Sequence, residues 1–186
     1  MKKILFLLVA ATLSLSAKAQ EYVDLGLSVY WATQDVGATS PYEDGTTYIT
    51  GTTIVSKKVV SGTCKIDRQE DFSGNAEYDA ATATWGQEWR TPTYMEWSEL
   101  MGCTWTVEKI KIDGKKVWGS RVTGPNGNSI FLKYDGCRFL SCSTPTDRGM
   151  WIFMHFPYQG GFQRLHPSNK YLGYTKTVFV RAVRDK

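Results

Sequence analysis

The chain has 186 residues, of which 42% are hydrophobic and 13% aromatic, and it carries 22 basic residues against 18 acidic ones. This length suits one domain that can bury a substantial core, and beyond the N-terminus no apolar run approaches the ~18 residues of a membrane-spanning helix. The basic excess comes largely from Lys2, Lys3 and Lys18, so the charge of the remaining chain gives no indication of a nucleic-acid partner.

The first 19 residues have the three parts of a secretory signal peptide. Lys2 and Lys3 make a positive start, Ile4 to Leu15 is an apolar run, and Ala17-Lys18-Ala19 is a small-x-small cleavage site. No Cys follows the apolar run at the cleavage site, so we expect no lipoprotein anchor. We therefore predict an exported protein of the periplasm, the cell surface or the extracellular space, with a signal peptide at 1–19 and a single domain at 20–186.

The domain begins with the stretch VDLGLSVYWATQDVGA, which carries almost no charge. Val23, Leu25, Leu27 and Val29 alternate with other residues, and this period of two predicts a half-buried strand. The sequence that follows is rich in Trp, Tyr, Thr and Gly, with short segments and frequent turn signals. Such a composition is typical of a β-rich domain with little helix.

Two stretches favour short helices. The alanine-rich residues Asn75 to Gly86 predict one short helix that stops at Gly86. In the second stretch, Thr93-x-x-Glu96 is a capping box, in which each side chain satisfies an unpaired backbone donor, and Gly102 is a natural stop. The apolar side of the second helix is expected to contain Met95 or Trp97, with Leu100 and Met101.

After Gly102 the sequence predicts strands. Asp113-Gly114 and Asn126-Gly127 are turn signals between alternating runs. The residues MWIFMHF predict a central strand, FQRLHP a short strand closed by proline, and TVFVRAV a final strand with its valines and alanine in the core. Several lysines near the first turn are interpreted as solvated hairpin edges, and not as a nucleic-acid surface. They are Lys109, Lys111, Lys115 and Lys116.

Four stretches together resemble a known family: VDLGLSVYWATQDVGA, ATATWGQEWRTPTYMEWSEL, VTGPNGNSIFL and YLGYTKTVFVRAVR. In this order and spacing, over roughly Tyr22 to Arg184, they are similar to the secreted bacterial "major paralogous domain" (FISUMP) family. The resemblance implies an α+β, C-type-lectin-like fold with a twisted antiparallel β-sheet, two short helices and long loops. It further implies that the N-terminal strand runs beside the C-terminal one, that Trp31 enters the core, and that Gly37 takes a positive φ in a turn.

The four cysteines are Cys64, Cys103, Cys137 and Cys142, and export would permit disulfides. Four cysteines allow three complete pairings, and the sequence does not choose among them. The family commonly has Cys at the position of Gln34. If that Cys pairs with the equivalent of Cys103 in relatives, Cys64 is the available substitute here.

Catalytic and metal-binding arrangements find little support in the sequence. Cys137 and Cys142 have a spacing similar to the copper-binding pair of formylglycine-generating enzymes, which share the broad fold, but the rest of that signature is absent. His155 and His166 lack an identifiable nucleophile and carboxylate for a triad, and their spacing is not that of a zinc finger. The EPN, QPD and WND strings of calcium-binding lectins are absent. We expect no catalytic residue, no metal and no cofactor, with a copper/thiol oxidase as a minor alternative.

Aromatic and polar residues concentrate between Ser143 and Tyr174. Trp, Tyr and Arg are enriched at binding hot spots, and in retroelement-diversified proteins of the implied fold the corresponding segment is the variable binding surface. We therefore expect a non-catalytic ligand-binding module that recognises a glycan or a cell-surface or host protein, with a structural accessory subunit of a surface or envelope assembly as the alternative. The expected ligand-binding residues are Trp151, His155, Tyr158, Gln159, Arg164, His166, Asn169 and Tyr171.

Overall fold

The structure, a computed structural model, describes residues 20–49, 51–56, 71–134, 138–141, 143, 152–156, 161–165 and 177–186. Within these residues the chain forms short strands and two short helices, which confirms the expected α+β class. The predicted signal peptide, residues 1–19, lies outside the described residues. The elements are β1 (Tyr22–Asp24), β2 (Tyr30–Asp35), β3 (Tyr48–Ile49), α1 (Ala80–Trp85), α2 (Tyr94–Met101), β4 (Thr104–Ile112), β5 (Lys115–Thr123), β6 (Ser129–Tyr134), β7 (Arg138–Ser141), β8 (Ile152–Phe156), β9 (Gly161–Leu165), β10 (Thr177–Val178) and β11 (Arg181–Arg184).

The described strands pair in antiparallel fashion as three three-stranded sheets, β1-β2-β11, β4-β5-β6 and β7-β8-β9, and one two-stranded pair, β3-β10. In the first sheet β2 lies between β1 and β11, so strands from both ends of the domain are neighbours, as expected. β8 is the centre of its sheet, which confirms the predicted central strand. The turns at Asp113-Gly114 and Asn126-Gly127 join β4 to β5 and β5 to β6.

The prediction of one strand from Val23 to Val29 was wrong. β1 ends at Asp24, and Gly26 turns the chain with φ 77°. The Asp24 carbonyl accepts hydrogen bonds from the side-chain amides of Asn126 (2.8 Å) and Asn128 (2.9 Å), 102 and 104 residues away in sequence. This distant anchor fixes a bend where alternation alone predicts a continuous strand.

The main core lies between the first sheet, α2 and the β5–β6 hairpin. Trp31 is fully buried, as expected, and its ring meets Trp97 edge-on with 4.9 Å between centroids. Met95 is 65% exposed, so Trp97 and Leu100 form the apolar side of α2. The other buried members of this core are Leu25, Val29, Val122, Ile130, Leu132 and Val183.

Both helix starts depend on buried or half-buried carboxylates. Asp79 is fully buried and caps α1 by accepting from the Ala81 N–H at 2.9 Å. The same carboxylate accepts from the Gly74 N–H and from the N–H and hydroxyl of Thr91. At α2 the expected capping box of Thr93 and Glu96 is present. Asp79 thereby ties the loop before α1 to the segment that leads into α2.

Glycines end both helices, but in different ways. Gly86 follows α1 with φ 97°, the left-handed conformation that favours glycine. Gly102 follows α2 with φ −73°, so the helix ends there without the left-handed stop that its position suggested. Gly37 has φ 83° in the turn after β2, as expected.

The predicted final strand, residues 177–183, is two strands in two different sheets. β10 pairs with β3, and β11 pairs with β2. The core positions were correctly predicted, since Val178, Val180 and Ala182 are 1%, 2% and 0% exposed. Within β11 the register on β2 also shifts between Arg181 and Val183, an irregularity that the hydrophobic pattern does not indicate.

Candidate functional site

The β1-β2-β11 sheet has one side on the main core and another that is covered only in part. Alternation along β2 sends Trp31 to the main core and its neighbours Tyr30 and Ala32 to the opposite side. Ala32 is fully buried there in a second small core with Ala80 and Ala81 of α1. Tyr30 remains half-buried, so this side of the sheet reaches the surface beyond the second core.

The strand register gathers polar and aromatic residues on this surface. Asp24 lies opposite Tyr30 on one side, and Arg184 lies opposite Tyr30 on the other. Tyr22 shares the face with Asp24 because it is two residues away on β1, and Lys186 reaches it from beyond β11, with Nζ 5.5 Å from the Tyr30 ring centroid. We call this surface the tyrosine face: Tyr22, Asp24, Tyr30, Arg184 and Lys186.

The two tyrosine rings are stacked with their centroids 4.9 Å apart and their planes 29° from parallel. The Arg184 guanidinium carbon lies 4.8 Å from the Tyr22 ring centroid and 5.8 Å from that of Trp89. Trp89 is only 4% exposed and anchors this stack to the second core. Tyr22 is nevertheless 46% exposed, so the stack offers a fixed aromatic surface to solvent.

Charges of both signs surround the rings. Asp24 accepts from the Gly26 N–H at 2.8 Å and from Lys186 Nζ at 3.0 Å. The Gly26 hydrogen bond first, and then Lys186, hold the pKa of the Asp24 carboxyl below its usual range. Arg184 forms an ion pair with Glu88 at 3.1 Å. The tyrosine face therefore places fixed donors and acceptors beside an exposed ring.

A polar groove of about 290 Å³ begins beside this face, at Glu21, the residue before Tyr22. The groove can offer a ligand both donors and acceptors, because amide and hydroxyl side chains dominate its lining. Within the lining, Gln34 Nε2 donates to the Ala38 carbonyl at 2.7 Å. The lining residues are Gln20, Glu21, Gln34, Ala38, Thr39, Ser40 and Pro41.

A second groove, of about 350 Å³, lies between the end of α2 and the β5–β6 turn and contains Glu99 and Cys103. Glu99 Oε2 already accepts from the Ser28 N–H (2.9 Å) and hydroxyl (2.7 Å). Cys103 has a free thiol, and burial, followed by the charge of Glu99, raises its pKa. A thiol that stays protonated is a poor nucleophile, so this groove does not have the chemistry of an activated cysteine.

The structure places only two of the eight sequence-predicted ligand-binding residues, and it does so by backbone register. His155 in β8 pairs with Arg138 of β7 and Phe162 of β9, whereas Arg164 pairs with Phe153. His155 and Arg164 therefore occupy positions on the same face of the β7-β8-β9 sheet. The other six lie outside the described residues: Trp151, Tyr158, Gln159, His166, Asn169 and Tyr171.

Most residues that the cysteine and metal predictions concern lie outside the described part of the chain. Cys103 is free in the structure, so none of the three complete pairings is formed, and neither is the suggested pairing of Cys103 with Cys64. Cys64, Cys137 and Cys142 are not among the described residues, so the C-x4-C pair stays a prediction. In the part of the chain that is described, no three His, Cys, Asp or Glu side chains cluster in a way that could hold a metal ion. The helices there are also too short and too polar to cross a membrane.

Sequence reasoning missed the tyrosine face because it treated Val23 to Val29 as one strand and followed only the buried side. The intervening positions, Tyr22, Asp24 and Tyr30, were the available signal. Their grouping with Arg184 depends on the pairing of strands from opposite ends of the domain.

No family model, curated protein or solved structure matches this chain.

Proposed function

We propose that this protein is an exported, non-catalytic module with a C-type-lectin-like fold that binds a glycan. The observation that carries this proposal is the tyrosine face, where Tyr22 is 46% exposed and its ring packs against Tyr30 and Arg184. A sugar ring presents C–H groups on its faces and hydroxyls on its rim. It therefore fits a rigid aromatic surface that is bordered by charged hydrogen-bonding groups.

The surroundings of Tyr22 supply the hydrogen-bonding part of such a site. The side chains of Asp24 and Lys186 are 44% and 39% exposed, so a carboxylate acceptor and an ammonium donor both reach solvent. The neighbouring groove adds oxygen acceptors from Gln34 and Thr39, which already donate to the Ala38 carbonyl and to Glu43. A ligand with several hydroxyls could engage both areas at once, which increases affinity without any metal.

The lectin-like fold is supported by the two short helices and by the sheet that joins both ends of the domain. The sequence-derived ligand region supports binding independently, because His155 and Arg164 occupy one face of the third sheet. We propose that this strand–loop region, with Trp151 and Tyr158, is a second contact area for the same ligand or for a protein that displays it.

A glycan array probed with residues 20–186, with calcium and again with chelator, tests the proposal. Tyr22→Ala should weaken binding by about tenfold or more, because truncation removes the aromatic contact. Tyr78→Ala is the matched control, since Tyr78 is a half-buried tyrosine in the turn before α1, outside the tyrosine face. Binding that survives chelator would support a site without calcium.

The outcomes separate the two contact areas. Loss of binding on Tyr22→Ala but not on Tyr78→Ala would support the tyrosine face. Loss only on Trp151→Ala or Tyr158→Ala would keep the glycan function and move the site to the strand–loop region. A blank array, with cooperative unfolding showing that the protein is folded, would overturn glycan binding and point to a protein partner.

A further inference from the structure

The β4–β5 hairpin ends in a dense group of lysines. Residues 109–118 contain four Lys and a single Asp. The strand register sets Lys111 directly opposite Lys116, and Lys109 directly opposite Trp118. Directly opposed residues lie on the same face of an antiparallel pair. We call this surface the hairpin face: Lys109, Lys111, Lys116 and Trp118.

The hairpin face combines charge with exposed apolar area. Lys109 Nζ lies 4.6 Å from the Trp118 ring centroid, and Trp118 is 39% exposed. Val107, two residues before Lys109 on the same side of β4, is 38% exposed. The three lysines of the face are exposed as well. An indole, a valine and three ammonium groups therefore meet the solvent side by side.

The opposed Lys111 and Lys116 are unfavourable for the free hairpin, because like charges directly across an antiparallel pair repel each other. No ion pair among the described residues involves a lysine of this face. The nearby Glu108 points to the other side, where both of its oxygens accept from Arg121 at 2.7 and 2.9 Å. Among the described residues no carboxylate offsets this repulsion, and an external anion would do so.

Protection of a sheet edge explains only part of the hairpin face. Lysines on an edge strand discourage pairing with another chain, and β4 is the edge of its sheet. This accounts for Lys109 and Lys111. It applies to Lys116 as well, because the pairing of β5 with β6 begins only at Trp118. It does not account for the exposed apolar side chains of Trp118 and Val107, which do not discourage pairing.

We propose that the hairpin face docks onto an anionic lipid surface. Lysine ammonium groups bind negatively charged headgroups, and Trp favours the boundary between headgroups and acyl chains. The exposed Trp118 and Val107 favour a lipid surface over a soluble polyanion, which gives apolar side chains no layer to enter. Such docking is peripheral, needs no spanning helix, and uses residues separate from the tyrosine face.

Flotation of residues 20–186 with lipid vesicles tests this docking. We expect binding to vesicles of phosphatidylcholine mixed with phosphatidylglycerol, little binding to phosphatidylcholine alone, and weaker binding at high salt. Lys111→Glu changes the charge by two units and should lower binding about thirtyfold, since each charge contributes about fivefold. It also replaces the Lys–Lys opposition with a Glu–Lys pair, so the hairpin should fold at least as well.

The double variant Ala83→Glu/Gln87→Glu is the control, because it makes the same change in net charge at exposed positions elsewhere. It should bind vesicles like the unmodified protein, whereas Trp118→Ala should bind less. Docking through the hairpin face is overturned if the control falls as far as Lys111→Glu, or if Lys111→Glu leaves binding unchanged. Binding to soluble polyphosphate without binding to the vesicles would also overturn it, and would make the face a site for a soluble anion.

Discussion

Arg181 and Asp35 form an ion pair inside the protein, with 2.6 Å between Nε and Oδ1 and side chains that are 2% and 1% exposed. Arg181 Nη1 also donates to the carbonyls of Ala32 (3.2 Å) and Thr33 (2.7 Å). These carbonyls belong to the part of β2 where the ladder with β11 is interrupted. Arg181 therefore neutralises a buried carboxylate and supplies hydrogen bonds at a gap in the sheet.

We expect Arg181→Met to lower the free energy of unfolding by about 3–5 kcal/mol, because it leaves Asp35 buried without its countercharge. Urea unfolding of residues 20–186 measures this loss. The double variant Arg181→Met/Asp35→Leu should regain part of the stability but not all of it, since the carbonyls of Ala32 and Thr33 lose a donor. A loss below about 1 kcal/mol in the single variant would contradict the assigned role.

Asp79→Ala should be among the most destabilising single changes at the start of α1, because Asp79 is a fully buried N-cap. It removes the helix cap and leaves the Gly74, Ala81 and Thr91 donors without their acceptor. We expect a cost of about 3 kcal/mol or more, which corresponds to a fall in Tm of about 6–12 °C for a domain of this size. Calorimetry measures the shift.

Asp113→Asn is the matched control for Asp79→Ala. Asp113 lies in the β4–β5 turn with φ 48°, a conformation that Asn also tolerates. The Tm of the Asp113→Asn variant should stay within a few degrees of the Tm of the unmodified protein. Equal shifts in the two variants would argue against a special role for the buried carboxylate.

Gly124→Ala should disrupt the contact between the β5–β6 turn and the Leu25 bend. A methyl group there would overlap the Leu25 carbonyl oxygen, which is backbone and cannot rotate away. We expect a loss of about 2 kcal/mol or more in urea unfolding. Gly127→Asn, in the same turn, has open space around it and a φ of 86° that Asn adopts, so it should cost much less.

Alkylation of Cys103 should be slower than that of a free cysteine at neutral pH. Burial and the Glu99 charge raise the thiol pKa, and only the thiolate reacts. Mass spectrometry of the Cys103 peptide after iodoacetamide pulses at increasing pH measures the rate. Glu99→Gln should shift the rate profile to lower pH, whereas Ser28→Ala, which keeps the charge, should not.

Local signals in the sequence predicted local structure well. The Thr93–Glu96 capping box and the Asp113-Gly114 turn formed as expected, because the atoms that decide them lie within a few residues of one another. Burial of Val180 was predictable from the alternation of apolar residues in its segment, whereas burial of Trp31 was expected from the family resemblance.

Long-range contacts decided the features that sequence reasoning missed. The bend after Asp24 depends on the side-chain amides of Asn126 and Asn128. The division of the last strand depends on the distant strands β3 and β2, with which β10 and β11 pair. The tyrosine face likewise exists only after β1 and β11 have both paired with β2. No periodicity within one segment contains this information.

The placement of β11 beside β2 also sets the order in which the domain can be completed. Asp35 and Arg181 are 146 residues apart in sequence, yet their strands are hydrogen-bonded neighbours in one sheet. A chain that emerges N-terminus first from a ribosome or a translocation channel must hold β2 without this neighbour until residues 181–184 appear. High contact order of this kind slows folding, so we expect the first sheet to be completed only when synthesis or transfer of the chain is nearly finished.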